Sequence, residues 1–121
     1  MKREGYRDLV IWQKSMDLTE RIYRESRSFP SDEKFGITSQ LRKSTSSIPA
    51  NIAEGFGRNS PRSFSYFLRI AMGSLHESET HICIAERLGY LDSTVAESLM
   101  TDTNELAKIL FTFTKSVTSR I

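Results

Sequence analysis

The chain has 121 residues, a net charge of +2, 38% hydrophobic and 26% charged residues, which fits a soluble globular chain, excludes a disordered one and predicts a single domain spanning 1–121. No stretch reaches about 18 consecutive apolar residues, so no membrane span is predicted, and the Met1–Gly5 start precedes no apolar signal core. The single Cys83 cannot form an internal disulfide; it is expected to be a buried, inert thiol, and a cytoplasmic protein follows.

Residues from about Asp8 to Arg27 predict a first helix, with Asp8 as cap and Leu9, Trp12, Met16, Thr19, Ile22/Tyr23 and Ser26 at three- and four-residue steps. Phe29-Pro30 ends it, because the residue before proline is pushed out of the α region. A second helix is expected from Ser31 or Asp32, whose acidic first turn suits the positive helix N-terminus. Three stripes share that helix. Ile37, Leu41, Ile48 and Ile52 make a core line. Ser39, Ser46, Ala50, Ala53 and Gly57 make a face with little bulk, where another backbone can approach. Gln40, Ser44, Ser47, Asn51, Glu54 and Arg58 make a polar line. Pro49 cannot donate to the Thr45 carbonyl, and the unbroken phase of the core line predicts a kinked helix rather than two.

Ser60-Pro61 signals a third helix, running to about Leu88 and closed by Gly89. Its core line is Phe64, Phe67, Leu68, Ala71, Leu75, Ser78, Ile82 and Ala85. A second apolar line, Tyr66, Ile70, Gly73, Ile84 and Leu88, predicts a subunit contact. Asp92 caps a fourth helix with the line Val95, Leu99, Leu106, Leu110, Phe113 and Val117. Four amphipathic helices on short connections predict an all-α, up-down-up-down antiparallel four-helix bundle.

Charge is uneven along the chain. From Lys34 to Arg69, six basic residues meet one acid, Glu54; from Ile70 onward, four basic residues meet seven acids. Arg42, Lys43, Arg58, Arg62 and Arg69 are therefore candidates for a phosphate-contacting surface. The alternative is a solvated face with ion pairs between subunits. Gln40, Asn51 and Glu54 are expected to form a structural polar seam between helices, since buried polar groups must be paired.

Enzyme chemistry has two candidates. A di-iron bundle needs Glu-x-x-His on each of two helices, but His76 and His81 share one helix and follow Gly73 and Ser78 at that spacing, so no metal or other cofactor is predicted. Glu77 and His81 are i, i+4 neighbours and are expected to pair. Arg69, six residues, then His76 matches the spacing of helical-bundle ribonucleases of the HEPN class, with histidine as acid or base. Their usual polar residue after the arginine is here Ile70, so a non-enzymatic reading is preferred.

The segments Leu9-Val10-Ile11-Trp12-Gln13-Lys14, Gly36-Ile37-Thr38-Ser39-Gln40-Leu41-Arg42-Lys43-Ser44, Ile48-Pro49-Ala50-Asn51-Ile52-Ala53-Glu54-Gly55 and Ile70-Ala71-Met72-Gly73-Ser74-Leu75-His76-Glu77 resemble the 23S rRNA intervening-sequence proteins. Phe29-Pro30 and Leu88-Gly89-Tyr90 extend the resemblance over nearly the whole chain. It implies small bacterial four-helix proteins assembling as homopentameric barrels, with no enzymatic activity. Some members are encoded within insertions in large-subunit ribosomal RNA genes. A relative, the accessory protein of diversity-generating retroelements, implies a basic barrel that binds nucleic acid and a reverse transcriptase. The expected partners are therefore further copies of the chain, RNA or DNA, or a nucleic-acid-processing protein.

Overall fold

Each helix begins and ends where local chemistry allows. The structure, a computed structural model, describes residues 5–121; Met1–Glu4, on which part of the expectation about a signal core falls, lie outside the described residues. Four helices follow in order, with no strand among the described residues: α1 (Val10–Glu25), α2 (Ile37–Gly57), α3 (Pro61–Arg87) and α4 (Ser93–Thr118). Ser60 caps α3 by accepting the Ser63 N–H, with Pro61 in the first turn where its missing N–H is harmless. Asp92 caps α4 through the Thr94 N–H. The end of α3 carries paired return bonds, Gly89 N–H to Glu86 at 3.0 Å and Tyr90 N–H to Ala85 at 2.9 Å. They require the left-handed φ of +78° that Gly89 supplies.

The helices form a four-membered ring of neighbours in sequence order, closed by α1 against α4. All neighbours run antiparallel. Along α2 and α3, Ser44 meets Ser78, Ser47 meets Ser74 and Gly55 meets Phe67, so one number falls as the other rises. Ion pairs tie α1 to α4 in the same sense, Lys14 to Glu105 and Arg21 to Asp102, each at 2.8 Å. Between the helices lie Ile22, Leu41, Ile48, Ile52, Leu68, Leu75, Ile82, Leu99, Leu106, Leu110 and Val117, all essentially inaccessible to solvent. Burying each such side chain contributes about 1.5–3 kcal/mol. No described helix is long and apolar enough to cross a membrane.

Pro49 sits within α2, which continues through it as one helix. The Thr45 carbonyl that proline leaves unbonded is met from α1: the Thr19 hydroxyl shares its proton between Ser15 O at 2.8 Å and Thr45 O at 3.3 Å. Close contact of α2 with α3 depends on small residues. The Ser78 hydroxyl lies 2.9 Å from that of Ser44 and 3.1 Å from that of Thr45. A Cβ added to Gly55 would stand 2.6 Å from the Cβ of Phe67.

Several expectations are corrected. Asp8 ends a 3-10 turn (Gly5–Asp8) and leaves the α1 cap position to Leu9; Arg27 falls in a second 3-10 turn, Ser26–Ser28. The buried line of α1 is Ile11, Ser15, Leu18 and Ile22. Of the expected line, Ile22 and Ser26 are buried and Leu9 and Trp12 pack against the core, while the side through Trp12, Met16, Thr19 and Tyr23 is turned about 100° from the buried one and borders an open groove of about 450 Å³ between α1 and α2. Asp32 and Glu33 belong to a 3-10 turn, Ser31–Glu33, and α2 starts only at Ile37. Glu33 still serves that start, accepting the Ile37 N–H at 3.4 Å and the Tyr90 hydroxyl proton at 2.8 Å. Cys83 is exposed, because the core positions are Ile82 and Ala85 and it lies one residue, about 100°, past the first.

A candidate nucleic-acid interface

The five basic residues singled out in the sequence do not make one patch. Arg42 and Arg58 both lie on α2, 16 residues and so about 24 Å apart along its axis. Arg42 is committed within the protomer. Its Nε donates to Ser26 Oγ at 2.8 Å and its Nη2 to the Tyr23 carbonyl at 3.2 Å, and its guanidinium lies 4.7 Å from the Tyr23 ring centroid. It thus tethers α2 to the last turn of α1, where free carbonyls favour a cation. Arg58 pairs with Glu54 one turn back at 2.8 Å and lies over the Phe67 ring at 4.9 Å. Lys43 is exposed beside Gln40 and Glu77 at a polar groove between α2 and α3. Of the expected seam residues, Asn51 donates to the Ser47 carbonyl and hydroxyl at 2.8 and 2.9 Å. Gln40 and Glu54 are exposed. The buried polar contacts between these helices are hydroxyls: Ser44, Thr45 and Ser78, with Ser47 and Ser74 beyond.

Arg62 and Arg69 remain, and the structure gives them new neighbours. Arg62, Arg69 and His76 recur every seven residues on α3 and are exposed, so they follow one edge of the helix. Arg69 and His76 stand two turns apart, about 10 Å along the axis. Across from them, Lys108 and Lys115 recur at the same spacing on α4, also exposed. The helices are in register there: Ser65 and Thr118 share a hydroxyl contact of 2.8 Å, and the rings of Phe64 and Phe113 are 5.7 Å apart. Between the two edges runs a groove of about 540 Å³ whose walls include Leu68, Arg69, Met72, Phe111 and Lys115.

The charge of this face follows from chain direction. Neither the first part of α3, Ser60–His76, nor the stretch Leu106–Ile121 contains an aspartate or glutamate. Antiparallel packing brings these two acid-free stretches to one end of the bundle. Glu77, Glu79, Glu86, Glu97, Asp102 and Glu105 are gathered toward the other. Lys108, Lys115 and Phe111 were not among the sequence candidates; their signal was the paired heptad spacing and the missing acids, which only helix register joins. His81, unlike His76, is buried, with Nε2 3.4 Å from Glu77 Oε2, the expected pair.

Comparison with known proteins adds the following. Residues 7–112 match the family model of the 23S rRNA-intervening sequence protein. A solved structure of a protein with unknown function from the S23 ribosomal protein family of Bacteroides thetaiotaomicron VPI-5482 is 29% identical, with a TM-score of 0.81. The match covers 88% of this chain and 96% of that one. No curated protein matches.

Proposed function

This chain belongs to the 23S rRNA-intervening sequence protein family, and on that premise we propose that it is a non-enzymatic, homo-oligomeric scaffold that binds nucleic acid. The observation that carries the binding is the acid-free face shared by α3 and α4, where Arg62, Arg69, Lys108 and Lys115 have no ion-pair partner among the described residues. Cations without acids between them attract phosphates and release the counterions around them. Repeated around a ring, the same face would multiply that attraction.

Assembly is supported by apolar surface that one protomer leaves uncovered. Tyr66 is 58% exposed, Ile84 and Leu88 continue its line on α3, and Ala50 lies open on the α1–α2 groove. Tyr66 borders the basic edge of α3, four residues after Arg62 and three before Arg69, whereas Ala50 and the α1–α2 groove lie apart from it. A ring of five 13.9 kDa chains has a mass of about 70 kDa.

Light scattering at micromolar concentration tests assembly: a mass near 70 kDa is expected, and a stable monomer overturns it. Anisotropy of labelled RNA and DNA over a range of salt tests binding. Affinity should fall as a power of salt concentration, and Arg69→Glu with Lys115→Glu should weaken it at least tenfold. No binding at low salt would discard this part. RNA should stay intact on incubation; cleavage lost in His76→Ala would replace the scaffold with the ribonuclease alternative built on Arg69 and His76.

A further inference from the structure

We propose that the groove between α3 and α4 seats a single strand of RNA, with one base stacked on Phe111 and the flanking phosphates held by Arg69 and Lys115. The inference rests on the nucleic-acid reading above and narrows it to a strand class and a seat. Phe111 is 63% exposed, and on its own helix Lys108 stands three residues before it and Lys115 four after, on the same side of the cylinder. Arg69 and Met72 form the opposing wall. An exposed ring between cations is the pairing that single strands use: each base offers a flat face to stack, and each linkage offers a charge. A duplex keeps its bases stacked on one another and would leave the ring unused.

The lining of the groove favours a base over a protein helix. An amphipathic helix docks through anchors at i, i+3/i+4 and i+7, a stripe about 10 Å long. The groove runs about 12 Å along α4, but its large apolar side chains are only Leu68, Met72 and Phe111, and the α4 wall beyond Phe111 is Thr114, Lys115, Thr118 and Ser119. Hydroxyls on the α4 side favour RNA over DNA. The Thr114 hydroxyl gives its proton to the Leu110 carbonyl at 2.7 Å and keeps lone pairs that a ribose 2′-hydroxyl can donate to, a donor DNA lacks.

The test uses the full chain and labelled oligonucleotides of about 16 nucleotides, the upper range of a single-strand site. Expected are tighter binding of single-stranded RNA than of its duplex, by tenfold or more, and weaker binding of the matching DNA. Phe111→Ala should weaken single-strand binding roughly five- to hundredfold, the range for one lost base stack, without changing the salt slope. Phe111→Tyr should restore it, and Lys115→Gln should flatten the slope. Because Phe111 is exposed, circular dichroism should show Phe111→Ala folded as the parent.

Equal affinity for single strand and duplex, with Phe111→Ala silent and Lys115→Gln impaired, would overturn the stacking seat and leave phosphate binding standing. Equal affinity for RNA and DNA would overturn the assignment to RNA. No binding of any nucleic acid would remove both this inference and its premise. If an acidic amphipathic peptide bound in a Phe111-dependent way while RNA did not, the groove would be a helix-docking site instead.

Discussion

Thr19 and Gly55 show how single residues make α2 what it is. Proline inside a helix frees a carbonyl, and an unpaired buried carbonyl costs about 1–3 kcal/mol. Thr19 meets it at 3.3 Å, a long bond shared with Ser15. Thr19→Val keeps the shape and removes the donor, so a loss of about 1 kcal/mol is expected, read as a lower denaturation midpoint at unchanged slope. At Gly55 two effects oppose each other. Alanine would gain up to about 1 kcal/mol in helix propensity, but its Cβ would lie 2.6 Å from Phe67 Cβ and 3.1 Å from a Phe64 ring carbon. Both neighbours are held by their own packing, and overpacking of this kind costs about 1–3 kcal/mol. Net destabilisation of Gly55→Ala is expected, and a raised thermal midpoint would show that α3 yields without strain.

At the scale of elements, the four contacts between neighbouring helices are unlike one another. Hydroxyls and one glycine let α2 approach α3, whereas α1 and α4 meet less extensively, through charge at their rim. The Lys14 ammonium beside Glu105 lowers the Glu105 pKa from its ordinary 4.5, by hydrogen bond first and by charge second. Glu105 raises the Lys14 pKa from 10.5 for the same two reasons. A carboxylate with a depressed folded pKa stabilises the fold above its unfolded value, and that share is lost as pH falls through the folded one. The lysine's share is present below its unfolded value and is lost as pH rises through the raised folded one. Glu105→Gln should therefore match the parent at strongly acidic pH and differ from it slightly at neutral pH. The difference should shrink in high salt, because the pair is exposed. Thermal melts from pH 2 to 8 would check this, and a difference growing toward acid would contradict it.

At the scale of the whole molecule, chain direction creates a polar object from a nearly neutral composition. Antiparallel pairing puts the acid-free stretches of α3 and α4 at one end and most acids of the same helices at the other. A parallel arrangement would have placed cations against acids and cancelled the face. Tyr66, beside Arg62 and Arg69 on α3, together with Ile84, Leu88 and the α1–α2 groove, is the uncovered apolar surface proposed for contacts between copies. Tyr66→Glu should thus lower the solution mass while leaving the helical spectrum of the protomer intact. Unchanged mass in that variant would place the contact on another face.

The amino-acid order by itself determined the helix count, the starts of α3 and α4 and their buried lines, because caps, prolines and three-to-four spacing act within a few residues. It named Arg62 and Arg69 as candidates but grouped them with Arg42 and Arg58, whose guanidiniums bond Ser26, Tyr23 and Glu54. On α1 it named Ile22 and Ser26, which are buried, and Leu9 and Trp12, which pack on the core, but missed Ile11, Ser15 and Leu18, because two lines have helical period and only the partners decide which is covered. Lys108, Phe111 and Lys115 stand some forty residues from Arg69, and nothing local links them. Tertiary structure alone decided that grouping, because the register of two antiparallel helices is a property of the pair.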